Sequence, residues 1–200
     1  MKDINFLMAV IWLVLCLAGL SALNWYKLLP GPVGKISVFW PHNIPLERDR
    51  SVYNLVLFAH PKCECTHASL IELEKLLIET KKKMKVVIFF YHPKGTEPGW
   101  TSGDSKDLSL KLKMTEVYDD RGGEIARRFG AMTSGQVMVY NPDGKLVFAG
   151  GITESRGHIG SNPGTRSIAS VVTKGVPIIS NQNTFGCLLF SEQEMKEYQR

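Results

Sequence analysis

Residues 52–91 read VYNLVLFAHPKCECTHASLIELEKLLIETKKKMKVVIFFY, with an apolar run at each end and an amphipathic segment between them. The runs at 52–59 and 84–91 are short, continuous and rich in β-branched and aromatic residues, which predicts buried strands. The leucines between them recur at helical spacing and predict a helix that continues to about Lys82. A strand, a helix and a second strand over this length form a βαβ unit, so the two strands should be parallel.

Further elements follow this unit in a regular order. The sequence predicts a surface loop at 92–107, a short helix at 123–129, a hairpin of strands 136–140 and 145–149 around the turn Asn141-Pro142-Asp143-Gly144, a glycine-rich loop at 150–164 and a last helix at 165–174. The expected fold class is α/β, with a central mixed sheet flanked by helices.

The N-terminus carries a candidate membrane span. Ile4 to Leu23 is uncharged, and a helix of these 20 residues can cross a hydrocarbon core of about 30 Å. Trp25 and Tyr26 follow, and such aromatic residues favour the membrane interface. A cleaved signal peptide is the alternative, but the apolar run is longer than usual for one and lacks a good small-residue cleavage site.

The chain is expected to have four parts. They are a transmembrane anchor at 1–26, a linker at 27–50 with a short edge strand at 35–40, the α/β domain at 51–176 and a C-terminal extension at 177–200. With either an anchor or a signal peptide the domain is exported, so we expect a single-pass membrane protein with a periplasmic domain.

The charge pattern argues against nucleic-acid binding. The net charge is only +5, the basic residues are scattered, and Lys81 to Lys83 form the only run of three. No zinc-finger, helix-turn-helix or RNP-like motif accompanies that run.

Cys63 and Cys65 lie where thiol chemistry is expected, between a predicted strand and the start of a helix. A helix N-terminus stabilises a thiolate, which is the reactive form of cysteine. His60 and Lys62 can add positive charge, whereas Glu64 opposes it. We therefore expect a lowered pKa for Cys63, which would attack, with Cys65 as the resolving thiol.

Backbone geometry limits how this pair can be arranged. Side chains at i and i+2 of an α-helix point about 200° apart. Cys63 must therefore precede the helix, with Cys65 at or near its first position. We expect a short loop to present both sulfur atoms to solvent. A disulfide between them would be strained and easily reduced, which favours a catalytic or regulatory pair over a structural one.

The order of elements over 52–174 resembles the thioredoxin fold, most specifically in Leu57-Phe58-Ala59 before the cysteine turn and in Phe129-Gly130 before the hairpin. It is also similar to a group of bacterial thioredoxin-like proteins called RedB. Two features depart from the thioredoxin pattern. The cysteines are one residue closer than in Cys-x-x-Cys, and Thr133-Ser134-Gly135 has no proline where that family has a cis-proline opposite the cysteines. The family's proline shapes the substrate groove and keeps metal from the thiols, so its absence favours metal binding.

The resemblance also implies that the loop at 150–164 lies on the same side as the cysteines. Arg156 could hold a thiolate or a substrate carboxylate, and His158 could transfer a proton; ordinary loop roles are the alternative. Cys187 lies beyond the resembling region, but its apolar neighbours can pack back onto the sheet. We expect it to be a second resolving thiol or third ligand near Cys63, or else a buried inert cysteine.

Two functions are therefore expected from the sequence. The first is a membrane-anchored thiol–disulfide oxidoreductase that needs no cofactor and acts on protein thiols or disulfides near the bilayer. The second is a thioredoxin-like module that binds Cu(I), Zn²⁺ or an iron–sulfur cluster, or that delivers copper. Its ligands would come from the following set: His60, Cys63, Cys65, His67 and Cys187. An inactive interaction domain is a third alternative, which the cysteine turn disfavours.

Overall fold

The computed structural model describes residues 2–81, 83–191, 194 and 195. The helices in this part of the chain are α1 (Lys2–Leu28), α2 (Glu64–Glu79), α3 (Asp104–Lys111), α4 (Glu124–Phe129) and α5 (Pro163–Lys174), with a 3₁₀ turn at Pro98–Thr101. The strands are β1 (Tyr53–Ala59), β2 (Met84–His92), β3 (Thr115–Arg121), β4 (Gln136–Tyr140) and β5 (Leu146–Gly151).

The strands form one mixed sheet in the order β3-β2-β1-β4-β5. Strands β1, β2 and β3 are parallel, which confirms the predicted βαβ unit. Strand β4 runs antiparallel to β1, and β5 antiparallel to β4, which confirms the predicted hairpin. The carboxyl end of the central strand β1 therefore leads directly into the cysteine turn.

Each face of the sheet carries its own apolar core. Alternate residues of β1 point to opposite faces, so Leu55 and Leu57 pack under α2 and α5, whereas Val56 and Phe58 pack on the other side. The parallel strands are therefore buried on both sides, as their continuous apolar sequences predict.

The region between β2 and α4 differs from the prediction. The stretch at 92–107, predicted as a surface loop, contains the 3₁₀ turn and the start of α3, and β3 was not predicted. The helix α3 has the sequence DSKDLSLK and β3 has TEVYDDR, so neither carries a long apolar run. Strand β3 lies at the sheet edge, where charged side chains discourage pairing with other chains.

The N-terminal helix and the segment after it also differ in detail. Helix α1 extends to Leu28, and the one helix in the described residues that is long and apolar enough to span a membrane is Asp3–Leu28. The following segment, predicted as a linker, packs Trp40 and Leu46 into the core. The predicted edge strand is reduced to one bridge, between Phe39 and Lys145.

Two predicted boundaries touch residues outside the described part of the chain. The predicted end of the second helix, Lys82, is one of them; α2 ends at Glu79 with Thr80 as its C-cap. The predicted C-terminal extension is described up to residue 191 and at 194 and 195.

Candidate active site

The cysteine turn has the backbone arrangement that the spacing of its cysteines requires. Cys63 is the N-cap of α2 and is extended, with φ −109° and ψ 121°. Glu64 is the first helical residue and Cys65 the second. Because only Cys65 is helical, the two side chains escape the divergence of an i, i+2 pair within one helix.

The expected exposure of the pair is wrong. Cys63 is 2% exposed and Cys65 is 6% exposed, whereas Cys187 is exposed to solvent. The pair is nevertheless at a helix terminus, as predicted. The reason for the burial is long-range: residues 184–190, which we call the tail segment, lie against the turn.

The tail segment pairs with the loop before β4 as a short antiparallel strand. Thr133 and Leu188 form an antiparallel bridge. The Ser134 N–H donates to the Cys187 carbonyl at 2.8 Å, and the Leu189 N–H donates to the Met132 carbonyl at 2.9 Å. The loop that aligns with the family's cis-proline position therefore holds this chain's own C-terminal residues.

The three cysteines outside α1 meet at the sulfur of Cys63. The Sγ atoms of Cys63 and Cys187 lie 2.9 Å apart, and all of these cysteines are free thiols. Hydrogen bonds from Cys187 first and from Cys65 second lower the pKa of Cys63, with smaller contributions from the backbone amides of Cys187 and Thr66. The same contacts with Cys63, together with burial, raise the pKa of Cys65 and of Cys187. The arrangement therefore favours one thiolate, on Cys63, held by two thiols.

Arg156 lies near these thiols and contacts the tail segment, and its predicted hold on a thiolate or a substrate carboxylate stays a prediction. Its Nη1 donates to the Gly186 carbonyl at 2.6 Å, and its guanidinium lies 4.9 Å from the ring centre of Tyr26. Its charge lowers the pKa of Cys65 and Cys187, although these effects are smaller than those that raise them. The sequence did not reveal that Arg156 joins the end of α1 to the tail segment.

His158 is exposed in the same loop, and its ring lies close to Gly160. Its backbone N–H donates to the Ser155 carbonyl at 3.2 Å. Proton transfer by His158 stays a prediction.

A buried hydroxyl network supports the turn, and the sequence analysis missed it. Ser134 Oγ accepts the backbone N–H of His60 at 2.8 Å and shares a 2.7 Å hydrogen bond with Thr66 Oγ1. Thr66 Oγ1 also donates to the His60 carbonyl at 2.8 Å. Ser134 and Thr66 are fully buried, so these contacts tie the turn to the loop that carries the tail segment. The sequence did offer one signal for this network: Ser134, a hydroxyl residue, lies in the stretch where thioredoxins have their cis-proline.

The residues predicted to place charge near the cysteines are His60, Lys62 and Glu64. Burial lowers the pKa of His60, and the interaction with Cys63, which raises it, is the smaller effect. His60 is therefore less able to carry the predicted positive charge. The Lys62 ammonium lies 4.6 Å from the ring centre of Trp100. Glu64 is exposed, and it shares a shallow surface cavity with His67 and Cys63.

The three predicted cysteine ligands lie together, but the full predicted set of metal ligands is not gathered into one site. The His60 ring packs against Tyr91 and Trp100, and its Nδ1 accepts the Lys62 N–H at 3.2 Å. Across residues 2–81, 83–191, 194 and 195, no group of three or more His, Cys, Asp or Glu is arranged to hold a metal ion. The set His60, Cys63, Cys65 and His67 stays a prediction that this geometry does not favour.

Comparisons with known proteins bear on the fold alone. No family model matches the sequence, and no curated protein matches it. A hypothetical protein from Sinorhizobium meliloti 1021 is similar in structure, with a TM-score of 0.61 and 16% identity, covering 78% of this chain and 96% of that one. An uncharacterized conserved protein from Geobacillus kaustophilus has a TM-score of 0.57 and 16% identity, covering 80% of this chain and 93% of that one. With three parallel strands, an antiparallel hairpin and the cysteine turn at the end of the central strand, the chain has a thioredoxin-like fold.

Proposed function

We propose that this protein is a membrane-anchored thiol–disulfide oxidoreductase in which Cys63 is the nucleophile. The observation that carries the proposal is the sulfur of Cys63, which lies at a helix N-terminus with the thiols of Cys187 and Cys65 as hydrogen-bond donors. Thiolates, not thiols, attack disulfides, and an attacking sulfur needs a second thiol nearby to release the substrate.

The reaction would proceed through a mixed disulfide. The Cys63 thiolate attacks one sulfur of a partner's disulfide, forming a Cys63–partner bond and releasing the partner's other sulfur as a thiolate. A neighbouring thiol then gives its proton to the released partner thiolate and attacks Cys63 Sγ, and the Cys63–partner bond breaks to release the partner's first sulfur as a thiolate. Two electrons pass from this chain to the partner. Cys65 is the resolving thiol that the sequence predicts, and the reverse reaction would oxidise a partner dithiol.

The partner is expected at the membrane surface. Arg156 contacts both Tyr26, at the end of α1, and Gly186, next to the exposed Cys187. The side chain of Arg156 therefore links the end of the apolar helix to the segment that carries Cys187. If α1 is an uncleaved anchor in the periplasmic orientation, a partner protein's thiols must be presented close to the bilayer.

A test of the proposal uses the full chain, purified without oxygen in detergent micelles. The assay measures reduction of insulin disulfides by dithiothreitol with and without the protein. Cys63→Ser should lose the catalysed rate, because serine neither ionises nor forms a disulfide. Cys16→Ser is the matched control, since Cys16 lies in α1, and it should keep the rate. A Cys63→Ser variant as active as the wild type would exclude the proposal.

The metal-binding alternative is distinguished in the same sample. Elemental analysis should find no stoichiometric copper, zinc or iron, and the thiols should titrate as a reversible redox couple. Stoichiometric metal that resists a chelator, in a chain without catalysed exchange, would establish the alternative instead.

A further inference from the structure

We propose that Cys187 is both the resolving thiol and the sulfur through which the oxidised protein is reduced again, so that Cys63 and Cys187 form the working disulfide. This inference rests on the proposed exchange activity of Cys63 and assigns its second half. The tail segment is docked on the loop before β4 while these thiols are free, so a partner reaches Cys63 only when Cys187 moves aside.

The first support is the geometry of the sulfur atoms. The Sγ atoms of Cys63 and Cys187 are 2.9 Å apart, only about 0.9 Å more than the length of a disulfide bond, so a small movement brings them to bonding distance. The hydrogen bond with Cys187 is also the largest contribution to the lowered pKa of Cys63. Cys187 is therefore already placed for attack on the sulfur of Cys63 once a mixed disulfide forms there.

The second support is the difference in solvent exposure among the three cysteines. Cys63 and Cys65 are buried, whereas Cys187 is exposed. In a Cys63–Cys187 disulfide an external thiolate can therefore approach Cys187 more readily than Cys63. Cys63 is also the better leaving group, because its thiolate lies at a helix N-terminus and accepts a hydrogen bond from Cys65.

The third support is the way in which the tail segment is held. Leu189 and Phe190 anchor its end in the apolar core, whereas Cys187 and Leu188 are exposed. The Gly31 N–H donates to the Thr184 carbonyl at 2.8 Å, and Arg156 holds Gly186. A Cβ built on Gly186 would lie 2.0 Å from the Ser134 carbonyl oxygen, so the close docking requires glycine beside Cys187. By contrast, Cys65 is fixed in the first turn of α2, where Ser69 Oγ donates to its carbonyl at 2.9 Å.

The exchange of electrons balances in this scheme. One thiolate of a partner dithiol attacks Cys187 Sγ; the new partner–Cys187 bond forms, the Cys63–Cys187 bond breaks, and its electron pair stays on Cys63 as a thiolate. The partner's second thiolate then attacks its own sulfur in the mixed disulfide and releases Cys187. The partner dithiol is oxidised to a disulfide, and the Cys63–Cys187 pair is reduced to one thiolate and, after proton uptake, one thiol.

Disulfide mapping tests the pairing directly. The full chain in micelles is oxidised with oxidised glutathione, free thiols are blocked, and the protein is digested with trypsin without reduction. Cys63 and Cys65 fall in the same fragment, residues 63–75, whereas Cys187 falls in residues 175–196. The proposal expects these two fragments to be linked in the wild type and in Cys65→Ser, whose 63–75 fragment has Cys63 as its single cysteine, and to be unlinked in Cys63→Ser. An internal disulfide in 63–75 with an unlinked 175–196 fragment would overturn it.

The entry sulfur is tested by challenge with reduced glutathione and a rapid acid quench. The proposal expects the first glutathione adduct on the 175–196 fragment. An adduct on the 63–75 fragment in the wild type overturns it.

Two variants separate docking from simple loss of folding. Gly186→Ala should release the tail segment and abolish the linked fragments while Cys63 remains available for alkylation. Gly99→Ala is the control, because its added Cβ would meet only Ser102 Oγ, at 3.9 Å, and it should keep the linkage.

The two proposals fail in different ways. A wild-type chain that catalyses insulin reduction through Cys63, but retains its full rate as Cys187→Ser, would overturn this inference and leave the oxidoreductase function standing. A wild-type chain without any catalysed rate would overturn the function itself.

Discussion

The cysteine turn and the tail segment meet at one sulfur, yet their positions are fixed in different ways. The turn lies between the end of β1 and the first turn of α2, above the core, and Ser134 holds it from across the sequence. The tail segment is held by hydrogen bonds to residues far away in sequence, among them Arg156, and by the burial of Leu189 and Phe190. The turn therefore provides the nucleophile between two regular elements, and the tail segment provides an exposed thiol, Cys187, in an irregular segment.

The largest expected difference in stability is between a core residue under the turn and an exposed residue of the tail segment. Leu70, under the turn, is fully buried, whereas Leu188, in the tail segment, is 40% exposed. Leu70→Ala should lower the free energy of unfolding by about 2–5 kcal/mol, because it leaves a cavity in the core. Leu188→Ala should change it by less than about 0.5 kcal/mol. Urea unfolding of the full chain in micelles measures both, and equal losses would contradict the comparison.

Titration of Cys63 should distinguish the contributions of Cys187 and Cys65 to its lowered pKa. Its pKa lies below the ordinary value of 9.0, so the thiolate persists as the pH falls through neutrality and is lost only below the lowered pKa. Cys187→Ala should raise this midpoint by about one to two units, since a hydrogen bond to a charged group contributes about 1.5–3 kcal/mol and one pKa unit corresponds to about 1.4 kcal/mol. Thiolate absorbance near about 240 nm, a wavelength typical of the ionised sulfur, follows the titration.

Cys65→Ala is the matched variant for that titration. It should shift the midpoint in the same direction but by less, because Cys65 is the second contributor to the lowered pKa. A larger shift for Cys65→Ala would mean that the turn, and not the tail segment, dominates the ionisation.

The hydroxyl network that joins the two regions can be cut at Ser134. Ser134→Ala would leave the buried backbone N–H of His60 without its acceptor. We expect a loss of about 1–3 kcal/mol in the free energy of unfolding. Ser51→Ala is the control, because Ser51 is exposed and hydrogen-bonds only within its own turn, to Asp49, and it should be nearly neutral. A neutral Ser134→Ala variant would show that the turn does not depend on this loop.

The smallest expected effect concerns the tail segment alone. Arg156→Gln removes the guanidinium that holds the Gly186 carbonyl and should weaken docking by about 1 kcal/mol, which corresponds to about fivefold faster hydrogen exchange at the Leu189 amide. Arg166→Gln, at an exposed position on α5, should leave that amide unchanged. Faster exchange at Thr66 instead of Leu189 would place the effect of Arg156 on the turn.

Local patterns in the sequence were sufficient for the elements that carry strong periodicity. They predicted β1, α2, β2, α4 and the β4–β5 hairpin, and they placed Cys63 before the helix. They did not predict α3 or β3, because DSKDLSLK and TEVYDDR bury few apolar side chains and their structure depends on the neighbouring strand and helix. The same limit explains why the segment with Trp40 was predicted as a linker although it packs into the core.

The amino-acid sequence predicted an apolar N-terminal helix, a buried βαβ unit, and two cysteines at the point where a strand enters a helix. Which sulfurs meet, and which are exposed, follows from the tertiary structure. Cys187 is 124 positions from Cys63, and its place beside that thiol depends on backbone pairing between Ser134 and the tail segment. Contacts at that separation leave no periodic signal in a single sequence, because they arise from packing of the whole chain and not from the preferences of neighbouring residues.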